Sequence, residues 1–261
     1  MRAVRLATFN LLHGRSPADG VVDPDRLSAA AASLDAAVLA LQEVDLGQDR
    51  SSRVDQTALV ARSLDAAHAR FAPALVGTPG REWRPAGDGD ETTEPSYGVG
   101  LVSRLPVTRW RRIPLGTSPA RLPLLIDARR PALVRDEPRV ALAAELAAPS
   151  PVGTVVAVHL SFAPGVNVVQ LLRLARALRD APSPVVILGD LNLPGPVPPA
   201  VLPGWRSLVR ETTFPADDPR IQLDHVLVRD DRGHLLPGVV HAAAVATPVS
   251  DHRALVVDLR D

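Results

Sequence analysis

Val185-Val186-Ile187-Leu188-Gly189-Asp190-Leu191-Asn192 is the stretch on which the reading of this chain turns. A short, continuous, β-branched apolar run of this kind predicts a strand buried on both faces. It stops at an acid and, two residues on, an amide. If the strand continues that far, Asp190 and Asn192 point to one side. A single acid after a strand is ordinarily a turn residue, so the stretch gains its weight from what surrounds it.

Just upstream, Val155-Val156-Ala157-Val158-His159-Leu160 reads as another strand, and 166–180 as a helix with Val169, Leu172 and Leu174 among its apolar positions. Farther back, a strand at 3–10 ends in Asn10, and Ala37-Val38-Leu39-Ala40-Leu41 runs into Gln42-Glu43. Downstream, a strand at 223–228 opens with Asp224-His225, and one at 253–259 is entered through Ser250-Asp251-His252. Between these lie a helix from Pro24 with Asp23 as N-cap, a helix at 54–69, and a strand at 97–103. Strands are predicted at 107–115, 123–134 and 139–147, with 129–134 and 139–147 forming a hairpin around Asp136-Glu137-Pro138. Residues 77–95 read as one long, mobile loop at the edge of the site, and 194–203 as a Pro-rich loop. Mixed hairpins and crossovers argue against a purely parallel sheet. They predict an α/β fold with two mixed β-sheets packed face to face and helices outside, and residues 1–261 are expected to form a single domain.

Composition narrows the class. Lys plus Arg and Asp plus Glu number 29 each, and all 29 cations are arginine. That balance does not favour a nonspecific nucleic-acid binder. The chain has no cysteine, which excludes disulfides and thiolate metal sites. No apolar run approaches the roughly 18 residues of a membrane helix, and no signal-peptide core lies near the start. A soluble, cytoplasmic protein with no obligate protein partner is the expectation.

Six apolar strands thus begin or end at an acid, amide or histidine. Sites in layered α/β folds gather at strand ends, where loops present polar groups over a rigid sheet. In chain order the segments are Ala7-Thr8-Phe9-Asn10, Leu41-Gln42-Glu43-Val44, Gly100-Leu101-Val102-Ser103-Arg104, Val158-His159-Leu160, Leu188-Gly189-Asp190-Leu191-Asn192, Leu223-Asp224-His225 and Ser250-Asp251-His252. In this order and composition the sequence resembles the endonuclease/exonuclease/phosphatase superfamily, the DNase I-like metal-dependent phosphoesterases. The resemblance covers nearly the whole chain. It implies a four-layer α/β sandwich and hydrolysis of a phosphate mono- or diester by activated water.

Phosphoester hydrolysis is mainly positioning and charge stabilisation. Mg²⁺, for which Mn²⁺ can substitute, takes oxygen ligands from one or two carboxylates. Glu43 is the expected principal ligand, with Asp251 as a second carboxylate and the Asn10 amide oxygen completing the shell. Asp190 is the expected general base. Asn192 and His159 would donate to phosphate oxygens. His252 would either transfer a proton or bind phosphate, with Asp224 fixing its tautomer. No carboxylate suggests itself to orient His159, and Val158 stands where many relatives carry a polar residue. His13 is placed at the rim. Arg50 is read equally as a phosphate contact or a surface salt bridge, Arg104 as structural, and Arg109-Trp110-Arg111-Arg112 as a solvated strand face. The substrate is an unidentified phosphoester; DNA or RNA stays open but is not favoured by charge. Rival readings are a zinc site of His13, His159, His225 and His252, and an inactive binding module of the same fold.

Overall fold

Strand parity builds the core in this computed structural model, which describes residues 3–87, 94–119, 121–126, 130–231 and 238–260. The first half contains β1 (Ala3–Asn10), α1 (Pro24–Ser33), β2 (Val38–Leu46), α2 (Gln56–Ser63), β3 (His68–Gly77), β4 (Trp83–Pro85) and β5 (Ser96–Ser103). Next come β6 (Val107–Gly116), β7 (Arg121–Ile126), β8 (Arg130–Arg135), β9 (Arg139–Leu146), β10 (Thr154–His159), α3 (Val166–Ala177) and β11 (Val185–Asp190). The chain ends with α4 (Val197–Val201), β12 (Trp205–Ser207), β13 (Asp224–Arg229), β14 (Val239–Val245) and β15 (Ala254–Arg260). Among the described residues, seven strands form one sheet, in the order β14-β15-β1-β2-β5-β3-β4, and six form a second, β12-β13-β11-β10-β9-β6. Both are mixed: β1 and β2 are parallel, as are β10 and β11, while the flanking pairs are antiparallel.

Alternate residues of each central strand feed different hydrophobic layers. Leu6, Val38, Ala40, Val155, Ala157, Val186, Leu188, Val226 and Val228 meet between the two sheets. Phe9, Leu39 and Leu41 face the other way, onto Leu27, Ala30 and Val60 of α1 and α2. Val156, Val158, Val185 and Ile187 face α3 through Leu171 and Leu174. Helix, sheet, sheet and helix are the four layers of a DNase I-like α/β sandwich. Asn10, His159, Asp190 and Asp224 continue the inward parity beyond the last apolar residue. The site is therefore the open polar end of the inter-sheet core.

Several local expectations are corrected. The helix expected at 54–69 is α2 alone; it stops at Ser63, Asp65 takes φ 51°, and β3 begins at His68. The strand expected at 123–134 is a two-stranded ribbon, β7–β8. The expected hairpin between 129–134 and 139–147 does not form, because β9 pairs with β6 and β10 instead. The supposed loop 77–95 contains β4, which folds back on β3; residues 88–93 of it lie outside the described residues. The 194–203 loop contains α4, and the expectations included neither β12 nor β14. Arg104 bonds the Leu64 carbonyl and Asp35. Of the arginine run, Arg111 and Arg112 donate to main-chain carbonyls of Ala177, Pro73 and Ala86, so they are not free to follow a phosphate backbone.

Candidate active site

Four strand ends and two loops supply the site. The parallel β10–β11 pair sets His159 directly opposite Asp190, and the antiparallel β11–β13 pair sets Asp190 opposite Asp224. These registers depend on Gly189, where a Cβ would run into the Val158 carbonyl. Glu43 needs a different device. Opposite β5, Leu41 pairs with Gly100 and Val44 with Gly98, so β2 carries one extra residue. That bulge, with Glu43 at φ 54°, turns its carboxylate out of the strand's alternation and toward Asn10.

Asp190 Oδ2 is the centre of the array. The Asn10 amide nitrogen donates to it at 3.0 Å and to Glu43 Oε1 at 3.2 Å. His159 Nε2 lies 3.6 Å and His252 Nε2 3.9 Å from the same oxygen. The Asn10 carbonyl oxygen is taken by the Leu12 N–H at 3.1 Å. Asn10 thus presents its amide nitrogen to both carboxylates and bridges them, and its side-chain oxygen keeps a second lone pair. His252 Nδ1 is 2.8 Å from Asp224 Oδ2, making the dyad expected from the motif order, and Phe214 packs against the His252 ring. Asn192 does not continue the strand: at φ 49° it turns back, its N–H donating to Asp190 Oδ1. Its side-chain nitrogen donates to the Leu160 carbonyl at 3.0 Å, and it lies beside His159 Nε2 at 3.3 Å without donating to it.

The partner of His159 is a cation that the sequence reading passed over. Arg139 lies 3.2 Å from His159 Nδ1. A guanidinium only donates, so Nδ1 accepts and the ring proton of the neutral imidazole is on Nε2, facing Asp190. Burial, then Arg139 and His252, hold the His159 pKa well below its usual value. Arg139 itself is buried, and among the described residues its Nε has no hydrogen-bond partner; burial works against its charge, but Glu137, Tyr97, Asp136 and Glu43 outweigh it and raise its pKa. The only hint in the sequence was an arginine between the turn Asp136-Glu137-Pro138 and an apolar strand.

The carboxylates crowd one another. Burial, then Asp251 and Asp190, push Glu43 up to about 7 against the pull of His252 and Asn10. Burial and Asp224 raise Asp190 to about 6. Burial works against the charged form of His252, but Asp224, Asp190 and Asp251 outweigh it and lift it to about 10. The ligating atoms of Asp190, Asp224 and His252 fall within 4.8 Å of one another, and the second oxygen of Asp224 is buried without a partner. The carboxylates of Glu43, Asp251 and Asp190, which repel one another, are the oxygen-rich donors that fit a hard divalent cation.

The outer residues divide. Arg50 is clamped by buried Asp45 at 2.7 and 2.8 Å, lies over the Tyr97 ring, and feels the charge of Glu43. His13 stands near Arg50 and Arg15; burial and those charges push it down to about 3. His225 turns away, its Nε2 2.8 Å from the Leu193 carbonyl, and among the described residues no cluster of histidines forms a zinc site.

Carboxylates, amides and imidazoles converging over a rigid α/β sandwich define a hydrolytic class of site. The chain belongs to the Endonuclease/Exonuclease/phosphatase family, which matches residues 7–252, and whose members are hydrolytic phosphoesterases. No curated protein matches the chain in sequence. Solved structures share its fold. An endonuclease/exonuclease/phosphatase from Beutenbergia cavernae is 24% identical over 100% of this chain and 72% of its own, with a TM-score of 0.65. A mannosyl-6-phosphatase from Bacteroides thetaiotaomicron is 13% identical over 99% of this chain and 100% of its own, at 0.63. Sphingomyelinase C from Streptomyces griseocarneus is 16% identical over 100% of both, at 0.60.

Proposed function

We propose that this chain is a phosphoesterase dependent on Mg²⁺ or Mn²⁺, which hydrolyses a phosphate ester with water activated by Asp190. The observation that carries this reading is the convergence of Asn10, His159 and His252 on one oxygen of Asp190, each from a different part of the chain. Glu43 and Asp251 would hold the cation, with Asn10 fixing the distance from Glu43 to Asp190. A bound divalent cation supplies charge neutralisation for the phosphoryl oxygens and lowers the pKa of water.

The protein's own groups divide the remaining work. Asp190, ionised, accepts the proton of the attacking water through Oδ2. His159 Nε2–H and the Asn192 amide donate to nonbridging oxygens as charge builds on them. His252 is kept protonated by Asp224, so it can bind a phosphoryl oxygen or protonate the leaving group. Arg139, held as a cation by the acidic groups around it, joins burial in keeping the neighbouring His159 neutral. Residues 1–261 act in this reading as one domain, because the inter-sheet core draws on both halves of the chain.

The charge balance and the self-bonded arginines of β6 favour a small phosphoester over long duplex DNA. Hydrolysis of a panel of phosphomonoesters and diesters, with Mg²⁺, with Mn²⁺ and with excess EDTA, tests the proposal. Turnover that needs the metal and is lost in Asp190→Asn is expected. Full turnover in EDTA would overturn it, as would efficient nicking of plasmid DNA at about 0.15 M salt with no small ester hydrolysed.

A further inference from the structure

β1 accompanies β2 as far as Asn10 opposite Gln42 and then turns away. Past that point a side chain takes the place of the lost strand. Gln56 Oε1 accepts the Asp45 N–H at 2.9 Å, and Nε2 of the same carboxamide donates to the His13 carbonyl at 2.7 Å. Gln56 is 1% exposed, so water does not compete for either bond. Its main chain is fixed as well. Gln56 is the first residue of α2, behind the Asp55 N-cap, and Asp55 bridges to Leu46 at the end of β2.

Both ends of this link lie beside residues of the candidate site. Asp45 follows Glu43 on the far side of the β2 bulge. His13 follows Asn10 in the turn Leu12–Gly14. Neither segment is held by its own preference. Glu43 at φ 54°, Leu12 at 45° and His13 at 47° occupy the left-handed region without being glycine. Such residues keep that conformation only where their surroundings hold them. The same turn presents the Arg15 carbonyl, which accepts the Ser250 N–H at 2.8 Å, next to Asp251. One carboxamide therefore couples the segments that carry Asn10 and Glu43, and through Arg15 the segment that carries Asp251. A main-chain N–H only donates and a carbonyl only accepts, so the carboxamide has a single orientation.

We infer that Gln56 is a positioning residue of the cation site, which sets Glu43 against Asn10 by spanning from the Asp45 N–H to the His13 carbonyl. It acts only through those segments. The inference rests on the metal-dependent phosphoesterase reading.

The test measures Mn²⁺ affinity by calorimetry on the substrate-free protein, in the wild type, Gln56→Met, Gln56→Asn and Val60→Ala. Met keeps the volume and loses both bonds. Asn is one methylene shorter and cannot span both partners. Val60 is buried on the same helix and makes no contact with the link, so Val60→Ala controls for lost stability alone. Gln56→Met should weaken Mn²⁺ binding by about 10–100-fold, the usual cost of removing a group that orients a metal ligand. Gln56→Asn should weaken it in the same direction by less, and it carries the test if Gln56→Met does not fold. Val60→Ala should stay within about twofold of the wild type. Wild-type affinity in both Gln56 variants, or an equal loss in Val60→Ala, would overturn the inference. Crystal structures of the Gln56 variants separate it from its premise. A wild type that binds no Mn²⁺ sinks the metal-dependent reading, and geometry then decides the role of Gln56. The Asn10 Nδ2 to Glu43 Oε1 contact of 3.2 Å should open beyond hydrogen-bond reach; its retention rejects the role.

Discussion

Asp190 and His252 carry the sharpest expectations at the level of single residues. Asp190→Asn keeps the shape and the Asn10 contact but loses the proton acceptor. Turnover should fall by about 10²–10⁴, the usual worth of a general base, while calorimetry should find metal and substrate affinity little changed. A raised KM at an intact kcat would reassign Asp190 to binding. His252 and Asp224 form one hydrogen-bonded unit, so kinetic losses in Asp224→Asn and His252→Ala should not add. A double variant as poor as the product of both losses would separate them.

Among the secondary-structure elements, the β2 bulge and the β10–β11 register matter most. Without its extra residue β2 would aim position 43 by simple alternation, and Glu43 would leave the cleft. The register requires Gly189, because a side chain there strikes the Val158 carbonyl of the neighbouring strand. Gly189→Ala should lower stability by about 1–3 kcal/mol, the range for overpacked interiors. It should also cost activity by moving His159 relative to Asp190. Thermal melts and kinetics on the same sample check both, and a fully stable, fully active variant would show that the two strands can spread at no cost.

Across the whole molecule, the crowded carboxylates predict how stability follows pH and metal. Glu43 and Asp190 have folded pKa values raised to about 7 and about 6. A carboxyl raised on folding contributes stability that is complete below its unfolded value, near about 4, and lost as pH rises through its folded value. The carboxyl share of the metal-free protein's Tm should therefore drop between about pH 4 and 7, against a rise from the buried, neutral His13, His159 and His225, whose pKa values are lowered. Glu43→Gln should flatten that drop, and excess Mg²⁺ should reverse it in the wild type by binding only the folded state. A Tm in that range indifferent to both Glu43→Gln and Mg²⁺ would count against a cation at this end of the sandwich.

The sequence by itself determined the layers, and it marked the polar strand ends that the fold brings together. Short β-branched apolar runs such as Val185–Leu188 and Val155–Val158 read as buried strands, and strand alternation assigns their successive residues to different layers before any contact is known. The polar residues that end those runs were legible because burial makes them costly anywhere but at an opening. Tertiary structure alone decided how the pieces meet. Whether α2 continued past Ser63, and which partner β9 took, depended on contacts between residues distant in the chain, to which local pattern is blind. The same holds for the inward turn of Glu43, set by pairing with Gly98 and Gly100, and for Arg139. An arginine at the start of a strand reads as solvated until the fold brings His159 against it and withdraws the water.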